Sequence, residues 1–147
     1  MKKHSKFVPW LTRLLLLPPT FIFTLIAARH IARPVQAAAA EGISLNSPLG
    51  ITITRVGLGG FPLGCAIFTF FCLLSTRRIL TGLLFVWNMV GVLLGVRVIG
   101  ILADGTARQN LRLVGAEIGL LTIVTIGILL ELALRREQLK VASEARI

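Results

Sequence analysis

An all-α integral membrane protein, a four-helix bundle of antiparallel up-down topology, is the fold class this sequence predicts, and three observations predict it. The chain carries four apolar runs of bilayer-crossing length, its residues are 55% hydrophobic with a mean hydropathy of +0.86, and its cations gather in short groups between the runs. Soluble domains hold roughly 45–50% apolar residues, so the excess asks for lipid as the solvent. At 147 residues the chain makes one domain at most.

A helix crosses roughly 30 Å of hydrocarbon with about 20 residues rising 1.5 Å each. The first run covers residues 11–28 and contains Pro18 and Pro19, whose rings remove backbone donors and predict a kink. The second covers 51–74, the third 80–102 and the fourth 113–134, the last two without proline. Lipid offers no partners to open backbone groups, and the runs lack the alternation of barrel strands, so helices are required. Residues 1–10 then form a basic tail, 11–134 the transmembrane domain and 135–147 a charged tail. A secretory signal is the rival reading of the first run, because Lys2, Lys3 and Lys6 precede it and Val35-Gln36-Ala37 resembles a cleavage site. Arg29, His30 and Arg33 crowd the approach to that site, where signals are small and uncharged, so an anchor is preferred.

The connection from Arg33 to Gly50 is the long one. Its alanines, Ala37 to Ala40, favour a short interfacial helix that Gly42 suits as a cap, followed by the turn-like Asn46-Ser47-Pro48. The connections at 75–79 and 103–112 are short, which makes consecutive helices antiparallel neighbours. With the N-terminus inside, Lys2, Lys3, Lys6, Arg13, Arg77, Arg78, Arg135, Arg136, Lys140 and Arg146 face the cytoplasm, against Arg29, Arg33, Arg55, Arg108 and Arg112 outside. This excess predicts both termini on the cytoplasmic side of the membrane.

Three G-x-x-x-G pairs, Gly60 with Gly64, Gly91 with Gly95, and Gly115 with Gly119, fall one on each of the last three runs. Glycine at this spacing lets helix backbones approach closely, so helix packing inside the bundle is expected of them, with a dimer face as the alternative. Cys65 and Cys72 share a helical face and read as buried, inert thiols. Trp10 suits an interface, and Trp87, deep in its run, reads as packing between helices.

Ionisable residues in or beside the runs are the informative ones, since each costs at least about 2.5–3.5 kcal/mol at mid-membrane. They are Arg55, Arg97, Asp104 and Glu117. The proposed topology puts Arg55, Arg97 and Glu117 at similar depth near the outer surface, with Asp104 two turns beyond Arg97 on the same face. Their charges sum to zero. A polar cluster follows, in which Arg97 meets Glu117; it either fixes helix register through ion pairs or forms a shallow ligand-binding site.

Other chemistry is poorly supplied. The net charge of +10 comes from cations in short flanking groups rather than along one helical face, so membrane flanks account for it without nucleic acid. The histidines are His4, in the tail, and His30, read as a solvated interfacial side chain, which leaves no bis-histidine pair for haem. Two cysteines on one helix make neither a disulfide framework nor a metal site. No nucleophile, base and orienting acid can be assembled, so no enzyme activity and no cofactor are expected.

The segments Asn46-Ser47-Pro48, Arg55-Val56-Gly57-Leu58-Gly59-Gly60 and Gly95-Val96-Arg97 closing with Asp104-Gly105, together with Glu117, resemble the DUF4345 family of small bacterial membrane proteins across residues 11–134. The resemblance implies a four-helix fold without an established activity, and it picks out Arg55, Arg97, Asp104 and Glu117. This chain has Leu58 where that family often has an aromatic residue, and Val96 between Gly95 and Arg97. Two functions are therefore expected: a non-enzymatic accessory or structural subunit, with the lipid bilayer and other membrane subunits as partners, or a binder or transporter of a small polar, quinone-like or lipid-derived molecule.

Overall fold

The computed structural model describes residues 8–144; Lys2, Lys3, His4, Lys6 and Arg146 lie outside them. Among the described residues the chain is helical throughout, with no strand. Six α-helices follow in order: α1 (Val8–Ala32), α2 (Pro34–Ala40), α3 (Pro48–Thr54), α4 (Phe61–Leu73), α5 (Ile79–Asp104) and α6 (Ala107–Glu144). A π-helical turn, Arg55–Gly60, joins α3 to α4, and a 3-10 turn, Thr76–Arg78, leads into α5. Four helical stretches are long and apolar enough to cross a membrane: Trp10–Ala32, Pro48–Leu73, Thr76–Asp104 and Asn110–Glu144. All four expected runs are therefore helical, and each helix extends beyond its apolar run at one end or both.

The chain divides into two compact units. One unites the start of α1, through Leu16, with Ser75 onward; the other is Leu17–Leu74. The division falls inside α1, just ahead of Pro18 and Pro19, although the helix runs unbroken through both.

In the first unit α5 and α6 form an antiparallel hairpin. Its two-residue link works because Gly105 takes the left-handed conformation (φ +66°) and its N–H returns to the Ile101 carbonyl at 3.1 Å, closing α5. Ile79, Gly82, Leu83, Val86 and Val90 make the buried stripe of α5, and Leu120, Val124 and Gly127 that of α6. Steps of three and four residues keep each stripe on one helical face. Gly127 is the close-approach glycine here: a Cβ on it would stand 3.0 Å from a Leu83 methyl and 3.5 Å from the Leu15 Cβ.

In the second unit the short helix α2 ends as its composition predicts, with Gly42 at φ +79°. Ser47 caps α3 by accepting from the Gly50 N–H at 3.0 Å. The π turn has a local cause. Pro62 has no N–H to give and its ring would strike the carbonyl four residues back, so the preceding turn widens, and the Phe61 N–H reaches the Val56 carbonyl. Gly59, in that turn, lies against the end of α1; a Cβ on it would stand 2.7 Å from Ile31 Cγ1 and 3.3 Å from the Ile31 backbone nitrogen. Cys65 and Cys72 are buried on α4 and are not joined in a disulfide.

Among the described residues the six glycines of the three pairs make no close helix approach. A Cβ on Gly64, Gly91, Gly95, Gly115 or Gly119 would meet nothing within 4 Å, and one on Gly60 would meet only the Arg55 carbonyl of the preceding turn, at 3.8 Å. The tight approaches fall to Gly59 and Gly127 instead, because the stripe that packs is set by the apolar residues around it and not by glycine spacing. Trp87, expected between helices, is 48% exposed beside the α5 stripe.

Candidate functional site

The α5–α6 seam carries polar groups at both ends and apolar ones between. Leu83, Val90 and Arg97 follow one another at seven-residue steps on α5, as do Asn110, Glu117, Val124, Glu131 and Gln138 on α6. A seven-residue step returns a helix to nearly the same face, so the polar residues continue the line of the packed ones. They are drawn toward the neighbouring helix by the same periodicity that builds the core.

At the link end, Arg97 donates through Nε to both Glu117 carboxylate oxygens, at 2.9 and 3.1 Å, and through Nη2 to Oε1 at 2.8 Å. Its Nη1 donates to Asn110 Oδ1 at 2.9 Å. Asn110 is in turn held by its Nδ2, which donates to the Thr106 carbonyl at 3.1 Å and the Thr106 hydroxyl at 3.0 Å. The side chains retain 26% (Arg97) and 15% (Glu117) exposure. Glu117 thus takes the Nε–Nη2 edge of the guanidinium, and the amide holds the third nitrogen to the first turn of α6. Such charge-assisted, forked pairing is stronger and more directional than a single contact.

The pairing of Arg97 with Glu117 is as expected from depth and sign. Asn110 was missed; its position seven residues before Glu117 was the available signal. Asp104 is the last residue of α5 and is exposed, with its carboxylate turned back toward Gly100. Arg55 is exposed on the π turn and belongs to the other compact unit. The observed constellation in the hairpin is therefore Arg97, Glu117, Asn110 and Thr106.

The opposite end of the hairpin has a polar group that the apolar run concealed. Glu131 is 7% exposed, and Arg135, one turn on, donates through Nε to its Oε1 at 3.0 Å. The same guanidinium donates through Nη2 to the Arg77 carbonyl at 2.9 Å, tying α6 to the turn before α5. An acid four residues ahead of an arginine at the edge of an apolar run was the signal that could have found it.

His30 corrects a further expectation. It is 2% exposed and not solvated; Nδ1 donates to the Ile26 carbonyl at 2.9 Å, which assigns that nitrogen the proton because a carbonyl can only accept. Nε2 faces Oε1 of Glu41, the residue that follows α2, at 3.3 Å without hydrogen-bond alignment. Among the described residues, no group of three or more His, Cys, Asp or Glu side chains gathers where it could hold a metal ion.

Comparison with protein families, with curated proteins and with solved structures gives no match.

Proposed function

We propose that this protein is a non-enzymatic accessory or structural subunit of a membrane assembly, spanning a bacterial cytoplasmic membrane four times with both termini inside. The observation that carries the reading is the closed Arg97–Glu117–Asn110 lock. Its hydrogen bonds join α5 to α6, and the two charges meet directly at 2.8 Å rather than facing each other across a gap. Spacing supports the membrane placement. Twenty residues separate Arg77, in the turn before α5, from Arg97, and eighteen separate Glu117 from Arg135 on α6, about 30 and 27 Å at the helical rise, the thickness of the hydrocarbon. Between these polar ends the helices turn Val92, Ile99, Ile126 and Leu129 outward, apolar surface that lipid covers without cost. The resemblance to the DUF4345 family belongs with this proposal.

The test is purification from native membranes in mild detergent, with crosslinking and identification of what accompanies the chain. A membrane protein recovered in fixed stoichiometry supports the subunit reading. Recovery of the chain alone, with a small molecule displaced by competition, would replace it with the ligand-binding reading. Orientation is checked separately by single cysteines at Ser75 and Thr106, which should label from opposite sides.

A further inference from the structure

The end of the hairpin opposite the lock holds an open-mouthed cleft of about 570 Å³, lined by Thr76, Arg77, Glu131, Leu134, Arg135 and Gln138. We infer that this cleft binds a phosphate-bearing anion, either the headgroup of an anionic phospholipid or a soluble phosphate. The inference rests on the reading of α5 and α6 as membrane spans.

Four features carry it. First, the antiparallel hairpin brings two Arg-Arg pairs, Arg77-Arg78 and Arg135-Arg136, to the same end, each at the edge of an apolar run, where headgroups lie. Basic pockets between spanning helices are a recurrent setting for phospholipid headgroups. Second, the one acid in the cleft, Glu131, is already engaged by Arg135, so Arg77 is a cation in excess. Only its backbone carbonyl is used by Arg135, and its guanidinium is exposed, with no hydrogen bond or ion pair among the described residues. Third, the 3-10 turn Thr76–Arg78 begins here without a side-chain cap and runs directly into the 26-residue α5, which puts the positive end of that helix beside the cleft. Fourth, the lining is graded: Leu134 offers an apolar wall, whereas Thr76 and Gln138 add hydrogen-bonding groups suited to phosphate or glycerol oxygens. The volume lies in the range of sites for small molecules, roughly 300–1,000 Å³.

Glu131 has a definite part in this arrangement. It holds the Arg135 guanidinium through Nε while Nη2 is tied to the Arg77 carbonyl, so the remaining face of the fork is held in one orientation before any anion arrives. It also offsets one of the two cationic side chains in the lining, which matches the cleft to a singly charged phosphodiester.

The test uses the full chain in nonionic detergent, titrated separately with short-chain phosphatidylglycerol, short-chain phosphatidylcholine and sodium phosphate, with thermal unfolding and native mass spectrometry as readouts. Phosphatidylglycerol should raise the unfolding temperature and give a retained adduct, and phosphatidylcholine should do neither. Arg77→Gln should weaken that binding about fivefold, the worth of one basic residue beside an anionic headgroup. Arg112→Gln removes the same charge at the link end and should leave binding unchanged. Sodium phosphate acting as well as the lipid, and losing its effect in Arg77→Gln, would assign the cleft to a soluble anion. Should Arg77→Gln fail to fold, Gln138→Leu tests the same lining without altering charge and should also weaken binding. Equal stabilisation by the two lipids, or equal losses in Arg77→Gln and Arg112→Gln, would overturn the inference. The subunit proposal depends on protein partners and stands or falls independently of these outcomes.

Discussion

If the Arg97–Glu117 lock holds α5 and α6 in register, breaking it from one side must cost more than removing it whole. Arg97→Met leaves the Glu117 carboxylate without its three contacts, and Glu117→Leu leaves the guanidinium with Asn110 alone. Stranding one member of a fully buried pair costs about 3–5 kcal/mol. Here the side chains keep 26% and 15% exposure, so solvent and headgroups recover part of that, and about 2–3 kcal/mol is the expected loss for either single change. The double variant strands no charge and replaces the pair with apolar volume, so it should lie within about 1 kcal/mol of the parent, a coupling of several kcal/mol. Reversible unfolding in mixed micelles, with folded yield from membranes as a second reading, measures all three variants. Additive losses, with the double variant as damaged as the two singles summed, would refute the argument that the pair acts as a unit.

Other outcomes follow from particular contacts. Asn110→Ala should cost about 1 kcal/mol in the same unfolding assay, since it removes one hydrogen bond to a charged group that keeps its main partner. Gly59→Ala should lower stability by about 1–3 kcal/mol, because the added carbon meets Ile31, including its backbone nitrogen, which cannot swing aside. Gly95→Ala and Gly115→Ala should be neutral or stabilising by up to about 1 kcal/mol in the isolated chain, each meeting open space on a helix; large losses would show that these faces are covered. Nitrogen NMR of the His30 ring should find the proton on Nδ1, and a neutral ring protonated on Nε2 alone would contradict its bond to Ile26.

Much of the architecture was legible from apolar run length, because an unbroken apolar run of that length without alternation satisfies its backbone groups internally only as a helix. The four apolar helices, the turn at Gly42 and the Arg97–Glu117 pair all follow from local rules of length, capping and charge. Three features were not legible. The glycine pairs satisfied a spacing rule that says which glycines can pack, not which face is turned inward. Glu131 was hidden because an acid inside an apolar run lowers the average too little to interrupt it. His30 looked solvated from its place near the end of α1, whereas its burial depends on what comes back against it.

By itself the sequence determined that the chain is helical and apolar enough for a membrane, where its four apolar helical stretches lie, and which rare charges must find partners. Those are properties of segments, set by backbone satisfaction and hydrophobicity within one stretch of chain. Tertiary structure decided that Arg97 is shared with Asn110, that Gly59 and Gly127 are the close approaches, and that Arg77 and Arg135 line one cleft. Such outcomes depend on the rotation of one helix against another, and that angle is chosen by the sum of many small packing contacts from residues far apart in the chain.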